Sequence, residues 1–477
     1  MGFLFYDIAF LVIFTTLVVL FLYKKRKSLQ REGPLFLYKT KIGIKAINYF
    51  SKKYEKQLRW IQYLSIITGY ILMIIILYLF IQIVYIYAIQ PDTVRAIKIP
   101  PVMPLIPYLP AMFKVSFLPP FYFIYWILIL AVVAISHEFA HGIFAKFHKI
   151  KVKATGFGFL GPFLAAFVEP DEKRMEKLPI KKQLSILSAG TFANILISLL
   201  FIIIFIIFFW LMFMPAGAIF NTYTFREINV TQIDWINSKN ITYYSQNEIL
   251  NNLDINNKNN LTKIIIDDKS YLISNEYLID SINQSKEIMI AYEDMPAINV
   301  GLSGAIIEFN GIKVRNTNEL INELKKYSPG DNVEIKTKID KNIKEYDITL
   351  AAKPTNKNAA YLGIGLLESS RKGIAGKIYS IISIIRQPGT YYESKIGSDL
   401  TVFIQDFLWW MILINISVAL VNMLPLGIFD GGKVFYLTVL YFAKSEDIAK
   451  KSFKAITMLL LFLLGIMMLF WFFSMFI

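Results

Sequence analysis

Ser136-His137-Glu138-Phe139-Ala140-His141-Gly142 lies near the end of an almost unbroken apolar run, Phe121 to Ala145. A helix of that length is long enough to cross the ~30 Å hydrocarbon core of a bilayer. His137 and His141, four positions apart, share one face of it. Two imidazoles spaced in this way can hold one zinc ion, and the glutamate between them can work on a water beside the ion. The bare H-E-x-x-H pattern is short and also arises by chance. Within a membrane span, however, ionisable side chains are costly and are functional candidates by default. The chain has three histidines, and two of them are here.

Composition agrees with a membrane setting. The chain has 477 residues, 55% of them hydrophobic, and a mean hydropathy of +0.49. These values exclude an ordinary soluble protein and predict several spans. With no cysteine there is neither a disulfide framework nor a thiolate metal site, so a bound zinc must use histidine and carboxylate. The net charge of +15 is the excess expected of cytoplasmic loops, not of a nucleic-acid site.

Outward from the motif, the sequence predicts about six spans. Phe3–Tyr23 is the first, a retained anchor because its positive charge follows it, at Lys24 to Lys27. Ile61–Ile89 is the second and Phe121–Ala145 the third. Leu184–Met214 is the fourth and Thr401–Leu424 the fifth, which breaks at Pro425-Leu426-Gly427 and resumes through Phe442. Ala455–Ile477 is the last. Basic loops at 24–59, 146–183 and 444–454 fall on one side, predicted to be the cytoplasm. The proline-rich stretch 91–120 cannot be continuous helix and is read as hugging the outer membrane surface or dipping into it. Gly156-Phe157-Gly158-Phe159-Leu160-Gly161-Pro162-Phe163, continuing to Val168, is too short to span and suits a re-entrant β-hairpin. Residues 216–367 turn polar and Asn-rich, with strand-like stretches, and read as an inserted domain outside the membrane. Four sequons, at Asn229, Asn240, Asn260 and Asn283, fit that side. Lys372–Arg386 is read as an interfacial helix.

Catalytic zinc takes three protein ligands and leaves one position open. His148 lies beyond the span, so the third ligand is expected to be an acid at membrane depth. Asp406 sits near the outer end of span five, away from the motif. Asp430 sits near the inner end, after a helix break at Pro425 and Gly427, where it could reach a neighbouring helix. Asp430-Gly431-Gly432 is also plain turn sequence; matching depth with the histidines favours the ligand.

His137-Glu138-Phe139-Ala140-His141, Asn422-x-x-Pro425 and Asp430-Gly431 together resemble the site-2 protease family of intramembrane zinc metalloproteases. Gly190-Thr191-Phe192-Ala193-Asn194 matches that family's G-x-x-x-N element, and Phe167-Val168-Glu169-Pro170-Asp171-Glu172 resembles its archaeal branch. The pieces stand in the family's order over about 121–215 and 400–444. Within the insert, Met295 to Leu302 followed by Gly304 to Gly311 looks like the core of a PDZ domain, with a helix at Asn316–Tyr327 and later strands at Gly330–Thr337 and Glu345–Ala351. About 222–290 interrupt the PDZ pattern, and no peptide-end-binding loop is recognisable there, so peptide binding and a purely steric role both stand.

The resemblance implies a polytopic α-helical membrane protein with a PDZ-like α+β insert. Its divisions are 1–120, 121–215 and 401–477 as the two halves of the catalytic core, 216–367 as the insert, and 368–400 as a juxtamembrane segment. It implies one Zn2+ per chain at His137, His141 and Asp430, with Glu138 as general base. Asn194 would donate to substrate or oxyanion, the alternative being interhelical packing beside Gly190. Asn422 and Pro425 would support Asp430. The expected partners are membrane proteins with a transmembrane helix, and the lipid bilayer. The expected setting is a prokaryotic, archaeal-type cell membrane with the site toward the cytoplasm. Three rivals stand beside it. A membrane zinc protease with a glutamate third ligand would need a second Glu-bearing helix. An inactive scaffold would have little use for Glu138. A metal transporter would need repeated acidic spans.

Overall fold

The computed structural model describes residues 3–474, except 34, 92–93, 96–99, 114, 116–117, 161–162, 230–232, 238, 241–259, 284–287, 340–341 and 366–385. The segment read as an interfacial helix, Lys372–Arg386, lies almost wholly outside the described residues. The chain forms two compact units, one of residues 1–208 with 402–477 and the other of residues 209–401.

The first unit is built on helices. They are α1 (Phe3–Lys25), α2 (Ile44–Lys53), α3 (Glu55–Ile89), α4 (Phe123–Phe147), α5 (Ile180–Met212), α6 (Asp399–Val421), α7 (Asp430–Ala443) and α8 (Glu446–Ser474). Among the described residues six of these, all but α2 and α7, are long and apolar enough to cross a membrane. They correspond to the six predicted spans, with ends shifted by a few residues. The largest shifts are at α3 and α8, which extend into the preceding charged stretches. The helix ladder does not stop at the hydrophobic boundary when lysines can continue it in water.

Side chains from several of these helices share their burial. Ile129, Trp126 and Tyr125 of α4 pack with Trp410, Met411 and Ile414 of α6 in one cluster. Phe144 and Ala145 of α4, Ile186 and Ala189 of α5, Ala419 of α6 and Val434 of α7 form another with Leu72 and Met73 of α3. Short side chains let these helices approach. A Cβ at Gly69 of α3 would sit 2.5 Å from Ser188 Oγ of α5.

Asp7, buried in α1, closes the start of α4. Its Oδ2 accepts from the Phe123 N–H at 2.7 Å and from the Tyr108 hydroxyl at 2.6 Å. Its Oδ1 accepts from the Ile124 N–H at 3.0 Å. The first amides of a helix have no partner within it, and a carboxylate there also meets the positive end of the helix dipole.

The predicted hairpin forms as β3 (Val152–Leu160) and β4 (Phe163–Pro170), with Thr155 opposite Val168. It is not alone. β1 (Leu29–Glu32) and β2 (Leu35–Thr40), from the stretch read only as a basic loop, complete an antiparallel sheet in the order β1-β2-β3-β4. Lys39 of β2 reaches Glu169 of β4 at 2.7 Å. Leu35-Phe36-Leu37-Tyr38 is a short apolar run of strand length, set among charged residues that give the whole stretch the look of a basic loop. β4 is left as the edge strand on the far side from β1.

The second unit carries two sheets with separate cores. In one, strands 342–349, 332–339, 305–309, 213–218 and 390–394 lie side by side, with a helix at Thr317–Leu324. Its core includes Leu302, Ile306, Phe309, Leu320 and Ile335. Asn316 caps that helix, accepting from the Glu319 N–H at 2.9 Å. The interrupting stretch makes the other, a six-stranded sheet with a helix at Asn275–Asn283, packed on Ile236, Ile264, Ile273, Leu278 and Met289. The described parts of 222–290 thus form a sheet with its own core.

Candidate metal centre

His137 and His141 stand one turn apart on α4, and Asp430 is the first residue of α7. The loop between α6 and α7 folds back to bring it there. The Asn422 carbonyl accepts from the Gly431 N–H at 2.8 Å. A Cβ at Gly431 would collide with the main chain of Met423 and Leu424, and one at Gly432 with that of Leu426. Glycine is therefore required by close approach, where sequence alone also allowed a plain turn. Pro425 is buried in this loop, and its carbonyl lies 3.4 Å from the Thr457 hydroxyl of α8.

Three ligand-type atoms converge. His137 Nε2 and His141 Nε2 are 3.1 Å apart. Asp430 Oδ2 is 3.3 Å from the first and 3.2 Å from the second. A tetrahedral ion with bonds of ~2.0–2.1 Å needs ligands ~3.3–3.4 Å apart, so this triangle has the size of one face of such a site. Two imidazoles and one carboxylate are the donor set of a zinc or similar cation, and these residues fit one. Among the described residues, this is the group of His, Asp and Glu side chains close enough to share an ion. It is not sealed: the three side chains are 10%, 13% and 23% exposed in the order His137, His141, Asp430. Asp406 of α6 and His148, just past α4, are not part of it.

The surroundings come mainly from α5. The Ile186 carbonyl lies 2.7 Å from His141 Nδ1. The Asn194 amide lies 3.2 Å from His137 Nδ1. Between them Gly190 leaves the space open, since a Cβ there would sit 2.5 Å from Nε2 of both histidines. Asn194 is fully buried. Asn422 meets the site through its main chain; its side chain makes no hydrogen bond to the three ligand-type groups.

Glu138 points to the sheet. Its Oε2 accepts from the Val168 N–H of β4 at 2.9 Å. Thr155 and Val168 face each other across β3 and β4, and this N–H is directed away from β3, toward the edge against which α4 packs. Helix α2 covers the motif from another side. Its Ile47 is fully buried and would meet a Cβ at Gly142 at 2.7 Å, and Phe50 lies edge-on to Phe139. Neither the Ile186 carbonyl nor the Val168 N–H could be found from residue types, because every residue carries the same backbone groups.

No curated protein matches the chain. Residues 125–468 match the model of peptidase family M50, a stretch that holds all three ligand-type residues and most of both units. That is well over half of the sequence, and the chain therefore belongs to peptidase family M50, the site-2 protease family of membrane metalloproteases.

Proposed function

We propose that this protein is an intramembrane zinc endopeptidase that cuts transmembrane segments of other membrane proteins. The observation that carries the reading is the convergence of His137, His141 and Asp430 within one ion's reach, from helices with the whole insert between them in sequence. These three would hold the ion, which when bound would supply Lewis acidity toward a carbonyl and lower the pKa of a neighbouring water to about 7. Glu138 is the general base: it takes the proton of the attacking water and returns it to the leaving amine. Its hydrogen bond from the Val168 N–H fixes the carboxylate between α4 and β4.

A substrate helix hides its amides in its own hydrogen bonds and must unwind locally before attack. The position of β4 as last strand in its sheet supports a route for holding the unwound segment, as an added strand along whatever part of that edge α4 leaves free. We read the β3–β4 hairpin as re-entrant, the PDZ-like insert as extracytoplasmic, and the metal centre as facing the cytoplasmic side. In that arrangement the insert selects which substrates come near, by size or by binding.

The test is zinc content together with cleavage. Purified protein should carry about one zinc per chain, and His137→Ala and Asp430→Ala should lose it. Glu138→Gln should keep the zinc and lose nearly all cleavage of a reconstituted single-span substrate. Full zinc in the ligand variants, or turnover in Glu138→Gln, would reject the reading.

A further inference from the structure

We propose that Asn194 is a positioning residue for His137: its side-chain oxygen accepts the Nδ1 proton of that ring and leaves Nε2 bare toward Asp430. The proposal rests on the metal-centre reading above and differs from a role on the substrate.

The two imidazoles are held alike, by one side of α5. Ile186, Gly190 and Asn194 follow each other at intervals of four, so they line one strip of that helix. The Ile186 carbonyl can only accept, so His141 Nδ1, 2.7 Å away, carries a proton and its Nε2 is bare. For His137 the partner is a carboxamide, which can present either its oxygen or its N–H2 to the ring. With N–H2 toward the ring, Nδ1 would accept and Nε2 would carry the proton, closing it to a cation.

Ser136 decides between the two. In the structure, Asn194 Nδ2 faces His137 Nδ1 at 3.2 Å and Asn194 Oδ1 faces the Ser136 hydroxyl at 3.4 Å, with the Val133 carbonyl 3.1 Å from that hydroxyl; exchanging the two ends of the carboxamide keeps its shape and gives the other choice. A hydroxyl has one proton. If the amide oxygen faced Ser136, that proton would be wanted by two acceptors at once. If the N–H2 faces Ser136, the ring proton, one amide proton and the hydroxyl proton each have one acceptor. His137 Nδ1–H then donates to Asn194, the Asn194 N–H2 donates to Ser136 Oγ, and the Ser136 hydroxyl donates to Val133. The relay runs in one direction and ends on the backbone of α4 itself. Asn194 is fully buried behind the ring, whereas a side chain that donates to substrate must present its amide to the cleft.

The experiment compares zinc affinity in full-length protein, by chelator competition, and the visible spectrum of the cobalt-loaded protein. Asn194→Leu keeps the shape and removes the acceptor. It should weaken zinc about 10–100-fold, the range for lost outer partners of a ligating histidine, and alter the cobalt bands. Asn194→Asp keeps an acceptor and has no N–H, and should restore both. Ser136→Ala should weaken zinc several-fold while leaving Asn194 in place. Wild-type affinity and cobalt bands in Asn194→Leu would overturn the proposal. So would weakened zinc in Asn194→Asp, a variant that decides the matter even if the leucine variant does not fold. His137→Ala run in parallel separates the two levels: zinc retained there rejects the metal centre itself.

Discussion

An alanine methyl at position 190 would sit 2.5 Å from Nε2 of His137 and of His141, in the space a shared cation needs. Flexible side chains can step aside, but these rings are held from behind by the Ile186 carbonyl and the Asn194 amide. Gly190→Ala should therefore abolish zinc binding while the helices stay assembled, as zinc analysis and circular dichroism would show. An alanine variant with full zinc would mean α5 can withdraw without cost. The third histidine obeys a different logic. Burial, with Lys182 nearby, pulls His148 from 6.5 down to about 4, and its Nε2 lies 2.8 Å from Ser185 Oγ. Between those two pH values the unfolded chain binds the proton and the folded chain does not, so stability rises with pH there. Thermal stability should be at its plateau above about pH 6.5 and should fall as pH drops toward 4. His148→Gln should flatten part of that slope; an unchanged slope would remove His148 as its source.

At the level of elements, the motif helix is held at both ends by distant segments. Asp7 of α1 satisfies the amides of Phe123 and Ile124, and Tyr108 joins the same carboxylate. Asp7→Ala would leave two helix-end amides without a partner in an apolar surrounding. We expect a loss of about 2–3 kcal/mol, the scale of buried hydrogen bonds to a charged group, with Asp7→Asn between the two. Unfolding in detergent micelles would measure it, and a melting temperature equal to wild type in Asp7→Ala would show that α4 does not depend on α1. At the other end, α2 and the β1–β4 sheet surround the histidines and Glu138. Segments that look like peripheral loops in one dimension are the walls of the candidate site.

For the molecule as a whole, the second unit enters and leaves through paired strands: Ala218 lies opposite Thr390. Residues 219–389 can therefore be replaced by a two-residue hairpin turn without stretching the chain. The shortened protein should bind zinc as the full chain does and should cut a wider range of substrates. Loss of zinc on deletion would make the insert part of the catalytic core. The same unit should be open to protease added to intact cells, whereas residues 24–59 should be protected; the reverse pattern would invert the proposed orientation.

Periodic and compositional signals carried far in this chain. Apolar length alone located the six spans, because a bilayer demands about twenty apolar residues whatever surrounds them. The His137-Glu138-x-x-His141 spacing pointed to a possible metal pair because a helix turn brings those positions together locally. Asp430 could be nominated from sequence, but its convergence with the histidines depends on Gly431 and Gly432 letting a loop fold onto the start of α7. Only the tertiary structure joined β1 and β2 to β3, gave the described parts of 222–290 a sheet of their own, and set Asn194 against His137. Those outcomes rest on backbone hydrogen bonds and close approaches between segments far apart in the chain. Such contacts leave no periodic trace in the residues that make them.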